Sequence, residues 1–401
     1  MSTAAIAEEA GSGRLADLEI ATVEAHALNV PATIEVAGAR RDVNLSVCIC
    51  EIETKGGIRG HGFTAITEEE VVATIVSEIL APALVGECAL DYERLWERLY
   101  WIVSPRGQTG YAAHAMAAVD IALWDIRGKA LGQPIWRLMG GARKKVPVYT
   151  TFGFAFLDRD QLVEAARLWI SRGHSQLKMT VGAEALQRRD TGRTVKSVIE
   201  EDARRVLAVR EAVGPDVELF IDANCSLDEY HAFQLAQAIA PARIGFFEEP
   251  IAENDARLLA DLRRRLPIQL AGGQNEGLAH RFRDLLVHQA VDVLQPNVTI
   301  GGGFTQAARV AGMASAFNIP IANGGGWPFH NMHLHGGVAN GGLVEYHHPA
   351  VVVCQQLFTG LPEPVDGYLT LPETPGLGFD LDRDAVAEFA ARPSARGRGK
   401  G

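Results

Sequence analysis

Leu219-Phe220-Ile221-Asp222-Ala223-Asn224-Cys225-Ser226 is an apolar run that ends in an aspartate, with an asparagine two residues on and polar residues opening a helix after it. Side chains alternate across a strand, so Asp222 and Asn224 are expected on one side of its C-terminal end. Parallel sheets and barrels build their chemistry there. The same order of apolar run, polar end and helical stretch recurs at Ser175 to Thr180, Ile244 to Pro250, Ile268 to Glu276, Val291 to Asn297, Ile319 to Asn323 and Leu343 to Tyr346, with Val146 to Tyr149 ahead of them. Eight candidate strands, most spaced by one βα unit, predict a closed βα barrel with its site where the C-terminal strand ends converge.

At 401 residues the chain exceeds one ordinary domain and suits a barrel plus a cap. From about Leu18 to Phe63, apolar and polar residues alternate, with turns at Ala37-Gly38 and at Lys55 to Gly57. This predicts an antiparallel meander. Helical periodicity runs from Glu68 through Leu99, and again from Gly110 to Leu138 with a break at Gly132 to Pro134. The expected division is an α+β capping domain over 1–145, a barrel over 146–350, and a C-terminal segment over 351–401 that completes the cap. The tail from Arg392 is basic and glycine-rich, a composition that predicts disorder.

A net charge of −11 argues against a nucleic-acid surface, and no run is long and apolar enough to span a bilayer. Met1 to Gly13 carries Glu8 and Glu9 and lacks the basic start and hydrophobic run of a signal peptide, so a cytoplasmic location is expected. Of five cysteines, Cys48 and Cys50 share one face of a strand without metal-ligand spacing, and the others are isolated. Buried small hydrophobes in a reducing compartment are the expectation. Gly301 to Gly303 lacks the lysine of a phosphate-binding loop, and Arg263 to Arg265 reads as a solvated helix face.

The segment Ala117 to Lys129, with Asp120, Trp124, Asp125 and Gly128, followed by Pro134 to Gly141, resembles the signature helix of the enolase superfamily in its mandelate racemase and muconate-lactonizing branch. The resemblance extends from about Ile20 to about Asp382. It implies a (β/α)7β TIM-like barrel with an α+β cap, assembly as a homo-oligomer (dimer or octamer), and a shared chemistry. In that chemistry a base removes the proton α to a carboxylate, and a divalent metal, usually magnesium, stabilises the enediolate.

A proton α to a carboxylate is weakly acidic, so the dianion formed on its removal needs concentrated positive charge, which a hard cation on oxygen ligands supplies. Asp222 and Glu248 end neighbouring strands and match the family's first two metal ligands. At the third position the chain reads Gly272-Gly273-Gln274-Asn275-Glu276 where most relatives place a carboxylate. Gln274 is the preferred ligand because an amide oxygen can coordinate magnesium, as in one branch of sugar-acid dehydratases. Glu276, of the same strand parity, remains an alternative.

Relatives carry two lysines separated by one residue on the second strand, the latter being the base. Here Lys178 matches the first, and Thr180 stands in place of the second. Lys178 is therefore the candidate base or the group that binds the substrate carboxylate, its pKa expected to fall beside a dication. The His-Asp dyad of other relatives is absent: Asn297 follows Gln295-Pro296, and Gly324 to Gly326 follow the seventh strand. His330, at the entry of a helix that also carries His333 and His335, is the replacement acid or base. Thr180, Asn224, Asn297 and Glu345 are the substrate-binding positions.

The resulting expectation is a magnesium-dependent dehydratase of a hydroxylated, sugar-type acid, because dehydration needs one base, one metal and one acid. A racemase, epimerase or cycloisomerase needs matched groups on both faces and is the alternative within the superfamily. A metal- and ligand-binding relative without activity is the alternative outside catalysis. Specificity is expected from the cap near Ala32 to Asp42 and His61.

Overall fold

The computed structural model describes residues 17–182, 185, 192–390 and 392; the expectations for the first residues and for the tail after Arg392 lie outside them. Strands β1 (Ile20–Val36), β2 (Ala39–Thr54) and β3 (Arg59–Ala65) form the expected antiparallel meander. Ala37 and Gly38 both take positive φ, 51° and 70°, which gives the tight hairpin turn its twist. The meander packs on the helix Tyr111–Leu131, which is buried on nearly every side along its length. Gly62 permits this approach, since a Cβ there would lie 1.7 Å from the carbonyl oxygen of Ala118.

That helix joins cap to barrel. Asp120 accepts hydrogen bonds from the backbone N–H (3.0 Å) and Oγ1 (2.6 Å) of Thr305, in the first turn of the barrel helix Gly303–Ala316. It thereby satisfies N–H and O–H donors at a helix start from another domain. Trp124 donates to the same hydroxyl (2.8 Å). Asp125, one turn on, accepts from the backbone of His61, from the backbone of Leu377 and from Lys129 Nζ, tying the meander to the C-terminal segment. The polar residues of the signature segment thus serve assembly.

Burial pushes the Asp120 carboxyl up to about 7 from 3.8, against the pull of its Thr305 hydrogen bonds. An acid whose folded-state pKa is raised holds its proton more tightly when folded, so its contribution declines as pH rises from about 4 to about 7 and is flat above. Asp120→Asn should therefore gain stability relative to wild type across that window, by about 4 kcal/mol. Paired thermal unfolding curves at several pH values check this, and a pH-independent difference would refute it.

The barrel strands are β4 (Lys145–Gly153), β5 (Gln176–Thr180), β6 (Glu218–Asp222), β7 (Phe246–Glu248), β8 (Gln269–Gly272), β9 (Val293–Leu294) and β10 (Val344–His347), all parallel in the order β10-β4-β5-β6-β7-β8-β9. The seventh expected strand, Ile319 to Asn323, is reduced to a bridge between Ile321 and Leu294. Pro320 has no N–H to give a ladder. The ring nevertheless closes, because Ala322 donates to Leu294 (3.0 Å) and Asn323 to Leu343 (2.8 Å). Below the site the interior is plugged by Phe220 stacked on Phe246, with Tyr149 edge-on to both.

Beyond the barrel, β11 (Phe358–Thr359) pairs with β13 (Asp380–Leu381), and β12 (Tyr368–Thr370) pairs with the start of β4. The helix Arg383–Ala390 returns to the meander, where Arg383 reaches Glu51 of β2 at 2.9 Å.

Candidate active site

Three strand ends lie in register, with Thr180 of β5 opposite Asp222 of β6, and Asp222 opposite Glu248 of β7. Two residues before Thr180, on the same face, Lys178 is buried among three carboxylates: its Nζ lies 2.7 Å from Glu248, 3.0 Å from Glu345 and 3.2 Å from Asp222. Burial opposes the charge, but the three carboxylates together outweigh it and hold the ammonium well above the usual lysine range. Burial would likewise raise the Glu345 carboxyl, yet Lys178 and His347 bring it below its ordinary value. Glu345 is further fixed by Thr151 Oγ1 and by the backbone N–H of Gly326 (2.7 Å).

Above this charged floor lies a cavity of about 270 Å³ whose walls come from both domains. Asp222, Gln274, Glu345, Thr180 and Asn224 line it. Asn224 arrives by a different route from the one its spacing implies: β6 ends at Asp222, and Asn224 has φ 46°, with its N–H donating to Asp222 Oδ1 (2.8 Å). An Asx turn, and not strand alternation, brings it to the rim.

Gln274 follows Gly273, whose φ of 119° ends strand geometry. Its Nε2 donates to Glu249 at 2.9 Å. Because a carboxylate can only accept there, the amide oxygen faces the other way, toward Gly325. Glu276 also lines the cavity, but its carboxylate is engaged by Arg281 (2.8 Å). Glu249, given no role by the sequence, gathers Gln274, Asn275 (2.6 Å) and Asn254 (2.7 Å) and so sets the orientation of that loop.

Two expected residues lie elsewhere. His330 is fully buried, stacked on Phe63 at 4.9 Å and edge-on to Phe358 and Phe379, with neither ring nitrogen hydrogen-bonded. It belongs to the joint between cap, barrel and C-terminal segment and does not line the cavity. Burial drives its pKa well down. Asn297 is spent on the loops, donating to the Gly324 carbonyl (2.7 Å) while its Oδ1 accepts from Thr299 and Asn331. It does not line the cavity either.

The specificity expectation also changes. Ala32 to Asp42 is paired hairpin, and His61 is buried, donating to the carbonyl of Phe379 (3.1 Å). The cap residues in the cavity wall are instead Leu45, Ile66, Thr109, Gly110 and His114. Burial lowers the His114 imidazole to about 4. His347 enters the wall from the end of β10. Its Nδ1 accepts from the Ala350 N–H (3.4 Å), so the ring proton of the neutral form sits on Nε2. The signal was present in the sequence, because Glu345 and His347 share strand parity.

The donor set can be tested against a divalent cation. Among the described residues no three carboxylate, imidazole or thiolate side chains gather as a formed metal site. Two carboxylates and one amide do converge, Asp222, Glu248 and Gln274, and Glu248 Oε1 is buried without a hydrogen-bond partner. Burial and the neighbouring Asp222 push the Glu248 carboxyl well above its ordinary value, a strain that a cation bound at this oxygen would relieve. The set fits a hard dication.

A parallel barrel with a buried carboxylate pair at its C-terminal strand ends, roofed by an α+β cap, defines a barrel enzyme with its site between the domains. The chain belongs to the enolase superfamily, in its mandelate racemase and muconate-lactonizing branch: residues 19–140 match the mandelate racemase/muconate lactonizing enzyme N-terminal domain, and 161–385 match the enolase C-terminal domain-like family. It is 30% identical to an arabinonate dehydratase of Saccharolobus solfataricus, over 86% of this chain and 90% of that one. A racemase from Streptomyces coelicolor with bound magnesium superposes with a TM-score of 0.83 at 27% identity, covering 92% of this chain and 99% of the other. An L-talarate dehydratase from Polaromonas, in complex with Mg and L-glucarate, gives 0.80 at 29% identity over 92% and 96%.

Proposed function

We propose that this protein is a magnesium-dependent dehydratase of a hydroxylated monocarboxylic or dicarboxylic acid, acting by removal of the α-proton. The observation that carries the reading is the in-register pair Asp222 and Glu248 around a buried lysine, at the floor of a cavity between cap and barrel. Magnesium held by Asp222, Glu248 and Gln274 would supply the charge that stabilises the dianion formed when the α-proton leaves. We place the proton transfer at Lys178 Nζ, on the inner face of β5 beneath the cavity; the amine would accept a proton only in its neutral form, with a dication on Asp222 and Glu248 taking over the carboxylates that now hold its charge. His347 Nε2–H is the donor placed to hydrogen-bond the departing β-hydroxyl. The proton taken from carbon and the hydroxide expelled leave together as water, and the enol so formed tautomerises to the 2-keto acid.

The opposite wall supports elimination over racemisation. A second base there would have to come from the sixth or seventh strand end, where Asn297 is fully engaged and Gly324 to Gly326 carry no side chains. Gly324 is confined, since an added Cβ would lie 2.9 Å from Gln295 Nε2 and 3.1 Å from Glu248 Oε1. A panel of acid sugars with magnesium, read by semicarbazide trapping of 2-keto products, is expected to show dehydration. Exchange of the α-proton in D2O with inversion and no keto product would instead identify a racemase, and silence in both with intact magnesium binding an inactive relative.

The third ligand has its own test. Gln274→Glu should keep or tighten magnesium binding, because it adds negative charge facing a dication, whereas Glu276→Gln should change it little. Calorimetry showing a larger loss from Glu276→Gln than from Gln274→Ala would reassign the ligand.

A further inference from the structure

The cap brings to the cavity wall an imidazole that the proposed reaction leaves unused. His114 stands in the first turn of the helix Tyr111–Leu131 and lines the cavity beside Thr109 and Gly110. Its Nδ1 lies 2.6 Å from Oγ1 of Thr64, a fully buried residue of β3. Burial decides which of the two carries the shared proton. Were the ring to donate, the Thr64 hydroxyl proton would be shut inside the cap with no acceptor among the described residues, which is costly. The hydroxyl therefore donates to Nδ1, and the ring proton of the neutral imidazole sits on Nε2. Among the described residues Nε2 has no partner, and it is not one of the polar atoms closed off from solvent, so it opens on the cavity.

The same surroundings keep the ring neutral near pH 7, since burial lowers it to about 4. What the cap presents is therefore an uncharged N–H donor, matched to an oxygen acceptor. Along the chain of a hydroxylated acid that oxygen is a hydroxyl. The donor is aimed before any ligand arrives, because Thr64 holds the ring from a strand and the His114 backbone N–H is bonded to Gly110 (3.1 Å). Asp222 and Glu248 belong to strand ends of the barrel, so a ligand held by them and by His114 spans the two domains. We infer that His114 is a specificity-determining residue: its Nε2–H binds a substrate hydroxyl beyond the two reacting carbons, and Thr64 acts through it as a positioning residue that fixes the tautomer. The protein then prefers an acid hydroxylated at that carbon over its deoxy analogue. This rests on the dehydratase reading for the substrate class and deepens it by naming the group that reads the hydroxyl.

The test pairs the hexonates of the acid-sugar panel with monodeoxy analogues that each lack one hydroxyl beyond the reacting carbons, on the magnesium-loaded protein. For the hexonate that binds tightest, one analogue is expected to lose about tenfold or more in kcat/KM and in calorimetric affinity. His114→Phe keeps a ring and removes the donor, and should bring that analogue to within about twofold of its parent while leaving the other ratios unchanged. His114→Gln, which restores an N–H, should restore part of the preference. Thr64→Val should shrink it partly and also carries the test if His114→Phe does not fold. Long-range nitrogen NMR of histidine-labelled protein is expected to show His114 protonated at Nε2 alone, and at both nitrogens in exchange in Thr64→Val. Ratios unchanged in His114→Phe, a loss spread evenly over all the acids, no preference in the wild type, or a proton on Nδ1 would each overturn the inference and leave the dehydratase reading standing. A preference in binding that collapses in His114→Phe, without any 2-keto product, would do the reverse.

Discussion

Asp222→Asn is expected to weaken magnesium binding by on the order of a hundredfold or more and to abolish turnover with it. The substitution keeps the volume and one acceptor oxygen, so the Asn224 N–H can still be satisfied, but it removes one of the two anionic ligands from a site whose third ligand is neutral. A site with three carboxylates could lose one and retain net negative charge. Here the loss leaves Glu248 alone facing the dication. Titration calorimetry with MgCl2 on the wild type and the variant measures the change directly, without reference to any substrate. Unchanged affinity would show that the cation is held elsewhere, and the carboxylate pair would then have to be read as counter-charge for Lys178.

Much of this site was legible because buried parallel strands announce themselves as unbroken apolar runs. The polar residue that ends such a run, as Asp222 and Glu248 do, can only be at the strand's open end. What strand parity could not reach was geometry set by the loops. Asn224 reaches the rim through a left-handed residue, and Gln274 is oriented by Glu249, whose four side-chain donors come from three separate loops. His330 was misplaced for a related reason. Trp327 sits in left-handed conformation (φ 61°) at the entry of the helix Pro328–Gly337, which sets where that helix points. The partners that then enclose His330 come from residues 63, 358 and 379, far apart in the chain. No local pattern encodes such a meeting. His347 could have been read from its parity with Glu345, and the missing seventh strand from Pro320.

Lys178→Met is expected to separate the structural role of the ammonium from its chemical one. In the wild type one positive charge answers Asp222, Glu248 and Glu345 at 3.2 Å or less in a site closed to solvent. Methionine retains most of the bulk and none of the charge, so the metal-free variant keeps three buried carboxylates with no counter-ion. Removing one member of a buried charge cluster typically costs about 3–5 kcal/mol, and the unfolding temperature should fall by several degrees. A dication at Asp222 and Glu248 restores the balance, so magnesium should raise the variant's unfolding temperature by more than it raises the wild type's, and should bind at least as tightly. Turnover and α-proton exchange should both be lost and should not return with magnesium, because the acceptor atom for the α-proton is gone. These readouts distinguish the alternatives. A variant that recovers stability with magnesium and also recovers exchange would show that Lys178 only balances charge, and would move the proton transfer to the cap and eighth-strand wall, where His114 and His347 stand. A variant whose magnesium response matches the wild type's would show that ammonium and dication do not share the carboxylates, contradicting the geometry from which the site was built.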